Sequence, residues 1–451
     1  MQQQLVRQIL WNRLIAVVEE QANVLLKTAF GTITREAGDL SAGVYDTKGR
    51  MLAQAVTGTP GHVNTMATAV AHFLDRFPAA SLEPGDVLVT NDPWMGTGHL
   101  FDFVTVTPAF LDGRLIGFFA STCHLIDVGG RGFVAEASSV YEEGLYVPHM
   151  KLMIGGKDAV GKPNETLLAI LMGNSREPMQ VRGDLLGLVS CNEVATRRLA
   201  AMLREFGLGD LDALGEHIIS TSRASMLEAI RKLPRGTWGA SMRLDGYESP
   251  IELKAALTVS ERGIHVDYAG TSPASRFGIN SPKCYTDAYT SFGVKCIVAP
   301  GTPNNAGSLE TVTVSAPEDS IVHPLRPRAV TARHVIGQML PELVFDCFDE
   351  PLAGQVPAEG AGSMWLLGLS GGPHIEGAKQ DATRFNVISI GIGGMGARPA
   401  KDGLSSTAFP SGVGAIPVEI TEAQSPLLFR RRELAEGSGG EGRQHGGMGA
   451  V

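Results

Sequence analysis

The sequence predicts a mixed α/β (α+β) protein, with an N-terminal α/β region over residues 1–235 and a strand-rich region over 236–451. Three observations carry this. Before 235, long stretches with apolar residues at helical spacing alternate with short apolar runs that read as strands. From 236 the pattern changes to short alternating strands divided by turns, the mark of an antiparallel meander. The 55 glycines gather in clusters at candidate turns, as tight loops require.

The first helix is expected over 5–29, where Leu5, Ile9, Leu14, Val18 and Leu25 form one apolar stripe. Such a stripe is core packing. Val44-Tyr45 and Met51-Leu52-Ala53 flank Asp46-Thr47-Lys48-Gly49, a hairpin signal. Gly61-His62-Val63 leads into a second helix over about 64–77. Residues 163–206 read as helical with a break at Asn174-Ser175-Arg176-Glu177-Pro178, and Arg176 there either binds an anion or caps a carboxylate. A further amphipathic helix is expected over 211–232. Beyond the boundary, strands are expected at 240–244, 251–257 and 264–268, helices over 284–298 and near 335–348, and apolar runs at 366–367 and 387–390.

The stretch from Asn91 to Asp102 organises the first region. The apolar run Val87-Leu88-Val89-Thr90 is broken by Asn91-Asp92-Pro93, whose residue types favour a turn. Gly96 and Gly98 let the backbone pass close to whatever the loop holds. The loop then delivers His99 and Asp102. The chain runs out through Phe103–Val106, turns near Asp112-Gly113, and returns through Leu115–Phe119 to Cys123-His124-Leu125-Ile126-Asp127. If these strands form a hairpin, its ends meet, and His124 and Asp127 lie beside His99 and Asp102.

Two imidazoles with one or two carboxylates make a mixed N/O site that suits one divalent transition ion, Zn, Mn or Fe, better than Ca or Mg. A single strand histidine is usually a satisfied core or surface residue. Here two stand at loop mouths, each with a carboxylate three residues on and glycine nearby. Asp39 precedes a strand and reads as a turn carboxylate or as a further ligand.

Bulk composition excludes several classes. With 451 residues, 43% hydrophobic and 19% charged, the chain can build two or three sizeable cores. A net charge of −9, with no basic run interleaved with aromatics, argues against a nucleic-acid partner. No apolar stretch approaches the length of a membrane span. The five scattered cysteines show no CxxC spacing and fit reduced thiols in the cytoplasm. The end of the sequence stops within glycine-rich loop chemistry, so the chain is expected to be truncated or its last segment unstructured.

On these motifs the chain resembles the hydantoinase B family. That family holds the B-type subunit of N-methylhydantoinase, the matching half of 5-oxoprolinase, a lactam-hydrolysing subunit, and the alpha subunits of ketone carboxylases. The resemblance covers nearly the whole chain. It is carried by Arg35-Glu36 with Asp39-Leu40-Ser41, Asn91-Asp92-Pro93 with Gly98-His99 and Asp102, His124 with Asp127-Val128-Gly129-Gly130, and Glu143-Gly144-Leu145. Asn174 with Arg176, Gly183-Asp184-Leu185, Asp267 with Gly270-Thr271, Pro303-Asn304 and Gly439-Gly440 continue it. Gly-Thr-Gly-His stands where the family usually has Gly-Gly-Thr-His, and Cys123-His124-Leu125 replaces a pattern that often has adjacent histidines.

The resemblance implies metal ligands at His99, Asp102 and His124, with Asp39 as a fourth. It also gives Asp127 or Asp39 the role of steering or deprotonating water. A metal ion held there would bring the pKa of bound water toward roughly 7 and polarise a substrate. It further implies a hydantoinase A-type partner that spends ATP to phosphorylate the oxygen of a small cyclic amide, whose ring this subunit then opens. The same arrangement could serve a ketone carboxylase. From the residues alone, two more readings stay open. One is a 2-His-1-carboxylate iron oxygenase, against which the His-x-x-Asp spacing counts. The other is a fully ligated site that only braces loops.

Overall fold

A computed structural model describes residues 2–57, 59–156, 160–362, 364–373 and 384–451. The strands run β1 (Leu40–Tyr45), β2 (Met51–Gln54), β3 (Val87–Thr90), β4 (Asp102–Leu111), β5 (Arg114–His124), β6 (Met150–Ile154) and β7 (Lys162–Pro163). These seven form one antiparallel sheet in the order β2-β1-β5-β4-β3-β6-β7. β8 (Gly236–Leu244), β9 (Ile251–Ser260), β10 (Gly263–Asp267) and β11 (Val312–Ser315) form a second sheet, and β12 (Met364–Gly371) pairs with β13 (Phe385–Ile392).

The helices are α1 (Gln2–Thr28), α2 (Thr32–Arg35), α3 (Pro60–Arg76), α4 (Val140–Glu143), α5 (Glu165–Asn174) and α6 (Pro178–Glu205). After these come α7 (Asp212–Arg231), α8 (Lys283–Val298), α9 (Ala306–Leu309), α10 (His334–Gly337), α11 (Leu340–Asp349) and α12 (Val418–Gln424). Among the described residues no helix is long and apolar enough to cross a membrane.

The large sheet is covered on both faces. Alternate residues of a strand point to opposite faces, so Phe103, Phe119 and Cys123 join a core with α1 and α6, while Val104, Val106, Phe118 and Ala120 join one with α3. That double burial is why β4 and β5 carry apolar residues on both faces. α3 begins at Pro60, about one turn before the expected start at 64. Proline is tolerated at the first helical position, where no N–H is needed. His62 therefore lies on a helix and not in a lead-in loop.

The meander expected from 236 holds for β8-β9-β10. The fourth strand, β11, instead runs parallel to β10, because α8 and α9 form the crossover that a parallel pair requires. The helix expected near 335–348 is two pieces, α10 and α11. A separate apolar core gathers residues from Met226 to Phe348, whereas Ile388, Ile390, Ile392, Val413 and Ile416 pack back into the first core. The boundary read at 235 falls between α7 and β8. The glycine-rich segment from 434 is tied by backbone hydrogen bonds to residues 392–406.

Candidate metal centre

Sheet register builds the site. β4 and β5 pair antiparallel with Asp102 opposite His124, so the outward and return strands end side by side. β1 flanks β5 on its other edge, with Leu40 opposite Cys123, and the carbonyl of Asp39 accepts the N–H of His124 at 3.3 Å. Gly98, at φ +97°, turns the loop back just before His99. Asp39, His124 and Asp102, distant in sequence, thus stand in one row at one end of these strands.

One ligand atom each from His99, Asp102 and His124 lies within 4.8 Å of the others, and all three residues are buried. His99 Nε2 is 2.8 Å from Asp102 Oδ1, and His124 Nδ1 is 3.3 Å from the same oxygen. The imidazoles of His99 and His124 have centroids 5.0 Å apart, which agrees with the hairpin expectation. Asp39 stands at the rim of this set, its Oδ2 3.9 Å from His124 Nδ1 and its Oδ1 accepting from Thr59 Oγ1 at 3.0 Å.

The two oxygens of Asp102 have different duties. Oδ2 accepts from Arg333 Nη2 at 2.6 Å and faces His62 Nε2 at 2.8 Å. Oδ1 has no hydrogen-bond partner. Burial works against the Asp102 anion, but His62 and Arg333 outweigh it and hold its carboxyl well below the usual range. Burial and the Arg333 charge push His99 down to about 3, so its ring is neutral. Its single N–H must sit on Nδ1, because that atom's partner at 2.9 Å is the carbonyl of Thr331, which only accepts. The Nε2 lone pair then faces Asp102 Oδ1, and neither atom has a hydrogen-bond partner. Two lone pairs at 2.8 Å repel unless a cation lies between them, so the donor set fits a metal ion.

The sequence reading missed His62, Arg333 and His334. His62 is fully buried, with Nδ1 3.5 Å from Asp39. Burial disfavours its charge, yet Asp102 and Asp39 raise its pKa. Arg333 also donates Nε to the Thr97 carbonyl at 2.7 Å, which fixes the loop before His99. His334, pushed down to about 3 by burial and then Arg333, lines the same cavity with Phe133, Met364 and Leu366. The available signal was Arg333-His334 ahead of a core helix; His62 stands in the first turn of a helix of mixed polarity and had none.

Asp127 does not join this row. Its Oδ1 accepts from Arg176 Nη2, from Arg176 Nε at 3.1 Å and from Gly129 N–H at 3.2 Å, and its Oδ2 accepts from Ser175 and the Arg176 backbone. Arg176 thus caps a carboxylate, the second of the two roles open to it. With both oxygens of Asp127 taken up by donors, a base role has no support in its surroundings.

The fold and the site define a class. The description Hydantoinase B/oxoprolinase matches residues 3–451, and the chain belongs to that family. It is 26% identical over 470 residues to a protein of Pseudomonas sp. (strain NS671) named as the B-type subunit of a D-/L-hydantoinase, covering 98% of this chain and 76% of that one. Its fold is that of the ATP-dependent caprolactamase from Pseudomonas jessenii, with a TM-score of 0.89, 22% identity, and coverage of 99% of this chain and 77% of the other. An acetone carboxylase in its nucleotide-free form has the same fold, with a TM-score of 0.85 and 20% identity over 98% of this chain and 61% of that one.

Proposed function

We propose that this chain is the metal-bearing catalytic subunit of an ATP-dependent cyclic amidase, opening a hydantoin, oxoproline or lactam ring with water. The carrying observation is the division of Asp102: one oxygen is saturated by Arg333 and His62, the other is turned without a partner toward His99 and His124. His99, Asp102 and His124 would hold a divalent transition ion, Zn, Mn or Fe, with Asp39 beside them. When bound, such an ion acidifies water and polarises a carbonyl oxygen.

The chain's own residues do the rest. Arg333 keeps Asp102 ionised, so that its free oxygen is a ligand near neutral pH. Thr331 fixes the His99 tautomer. Asp39 lines the cavity and is the carboxylate placed to take a proton at Oδ2, while Thr59 holds its Oδ1. Phe133, Met364, Leu366 and Val413 give the cavity apolar walls that exclude bulk water.

ATP use is assigned to a hydantoinase A-type partner. The nearest thing here to a phosphate loop is Gly156 through Gly161-Lys162, followed by Pro163 where such loops carry Ser or Thr. Lys162 lies in β7, paired with Ile154, and not at a helix N-terminus. The shared fold with acetone carboxylase favours one second reading, an ATP-dependent ketone carboxylase subunit.

The test is product analysis by mass spectrometry on the purified complex of this chain with its ATP-binding partner. Hydantoin, 5-oxoproline, caprolactam and acetone are offered with and without ATP and bicarbonate. Ring-opened product that needs ATP but not bicarbonate is expected. A carboxylated ketone formed only with bicarbonate favours the second reading. Ring opening by the single chain without ATP would sink the partner assignment.

A further inference from the structure

The part of the site that comes from the second half of the chain must be held against the first. Thr331 gives a carbonyl to His99, Arg333 gives a guanidinium to Asp102, and His334 lines the cavity. Residues 316–333 belong to no named helix or strand; backbone bonds to residues 272–281 hold part of the segment, the last being Ala332 N–H to the Gly278 carbonyl at 2.7 Å. Its approach is gripped by α4 of the first half. The carbonyl of Pro327 accepts the N–H of Val140 at 2.9 Å. At the last residue of α4, Glu143 Oε1 accepts the backbone N–H groups of both Val330, at 2.5 Å, and Thr331, at 2.7 Å.

Glu143 is fully buried, and its Oε2 has no hydrogen-bond partner. A buried carboxyl group with an unpaired oxygen costs free energy. Gly278 leaves the room: a Cβ there would sit 3.1 Å from Oε1. Two residues beyond these bonds, Arg333 reaches Asp102. On the same residue as one of them, the Thr331 carbonyl sets the His99 tautomer.

We propose that Glu143 is a positioning residue for the metal centre, clasping Val330 and Thr331 so that the Thr331 carbonyl orients His99 and Arg333 meets Asp102. The inference rests on reading His99, Asp102 and His124 as metal ligands. A ligating histidine depends on the acceptor for its other N–H, and losing that support typically weakens metal binding 10–100-fold.

The test is a competition titration of the full chain with a chromophoric chelator for Zn, together with the absorption spectrum of the Co(II)-loaded chain. Wild type, Glu143→Ala, Glu143→Asp and Glu143→Gln are compared. Glu143→Ala and Glu143→Asp should bind Zn about 10- to 100-fold more weakly and show altered Co(II) bands. Glu143→Gln keeps an oxygen facing the two N–H groups and should recover most of the affinity. If Glu143→Ala does not fold, the Asp and Gln variants decide: Asp weaker than Gln supports the clasp. Affinities and spectra equal to wild type in these variants, even with a lower melting temperature, overturn it. A wild-type chain that binds no ion overturns the metal reading along with it.

Discussion

Two tetrapeptides in this chain are nearly the same: His99-Leu100-Phe101-Asp102 and His124-Leu125-Ile126-Asp127. Their aspartates have opposite fates. The first motif enters a strand, and Asp102 is the first residue of β4. The second leaves one, and His124 is the last residue of β5. Register sets Asp102 opposite His124, so the shared row at the strand ends takes the last residue of one motif and the first of the other. Asp127 overshoots the row by three residues and is bound by Arg176, Ser175 and Gly129. Chain direction, and not spacing, decides which carboxylate stands between His99 and His124.

The comparison breaks most visibly at Asp102. Asp102→Ala strands Arg333 and His62, both buried, without their anion. We expect a loss on the order of 3–5 kcal/mol in denaturant unfolding of the metal-free chain. A change under about 1 kcal/mol would show that Asp102 does not neutralise them.

Next in size is a pH effect at Glu143. Burial pushes its carboxyl up to about 7, against the pull of the Thr331 and Val330 N–H groups. The unfolded carboxyl releases its proton near 4.5, whereas the folded one keeps it until about 7. Stability from this group is therefore full below about 4.5 and lost as pH rises through about 7. At about 1.4 kcal/mol per pH unit, the loss reaches on the order of 3 kcal/mol. Glu143→Gln should lack this slope. Glu342, also raised to about 7 by burial, titrates in both proteins, so the difference between their melting curves isolates Glu143. Parallel pH profiles for the two would contradict the account.

Asp127→Ala should destabilise less, by roughly 1–3 kcal/mol, because Arg176 is partly exposed and water takes over some of its charge. Arg176→Ala should cost a similar amount, and the double variant less than the sum of the two in a mutant cycle. Strict additivity would deny the pairing. The smallest effect belongs to Asp39→Asn. With Asp39 at the rim, metal affinity should fall only several-fold, on the order of 1 kcal/mol, as read by chelator competition.

Much of this arrangement was legible in the sequence. The β4–β5 hairpin, its loop glycines and the grouping of His99, Asp102 and His124 follow from local turn chemistry and alternation. Asp39 joins through pairing of β1 with β5, a contact the sequence permits but does not specify. Arg333 meets Asp102 from 231 positions away, and no local pattern encodes such a distance. His62 was placed in the lead-in because the helix start was set at about 64, whereas α3 begins at Pro60, which the first turn of a helix accepts. The partner of Asp127 lies 49 residues on, in a loop whose arginine could equally have served a ligand, so the sequence does not specify that pair.

Metal content across the two matching motifs tests the central claim most directly. Wild type, His99→Ala, His124→Ala and Asp127→Ala are purified alike, and their Zn, Mn and Fe are measured by elemental analysis. The account predicts about one ion per wild-type chain, near none in either histidine variant, and wild-type content in Asp127→Ala. Equal metal in wild type and His124→Ala, or loss of metal in Asp127→Ala while folding is retained, would contradict it.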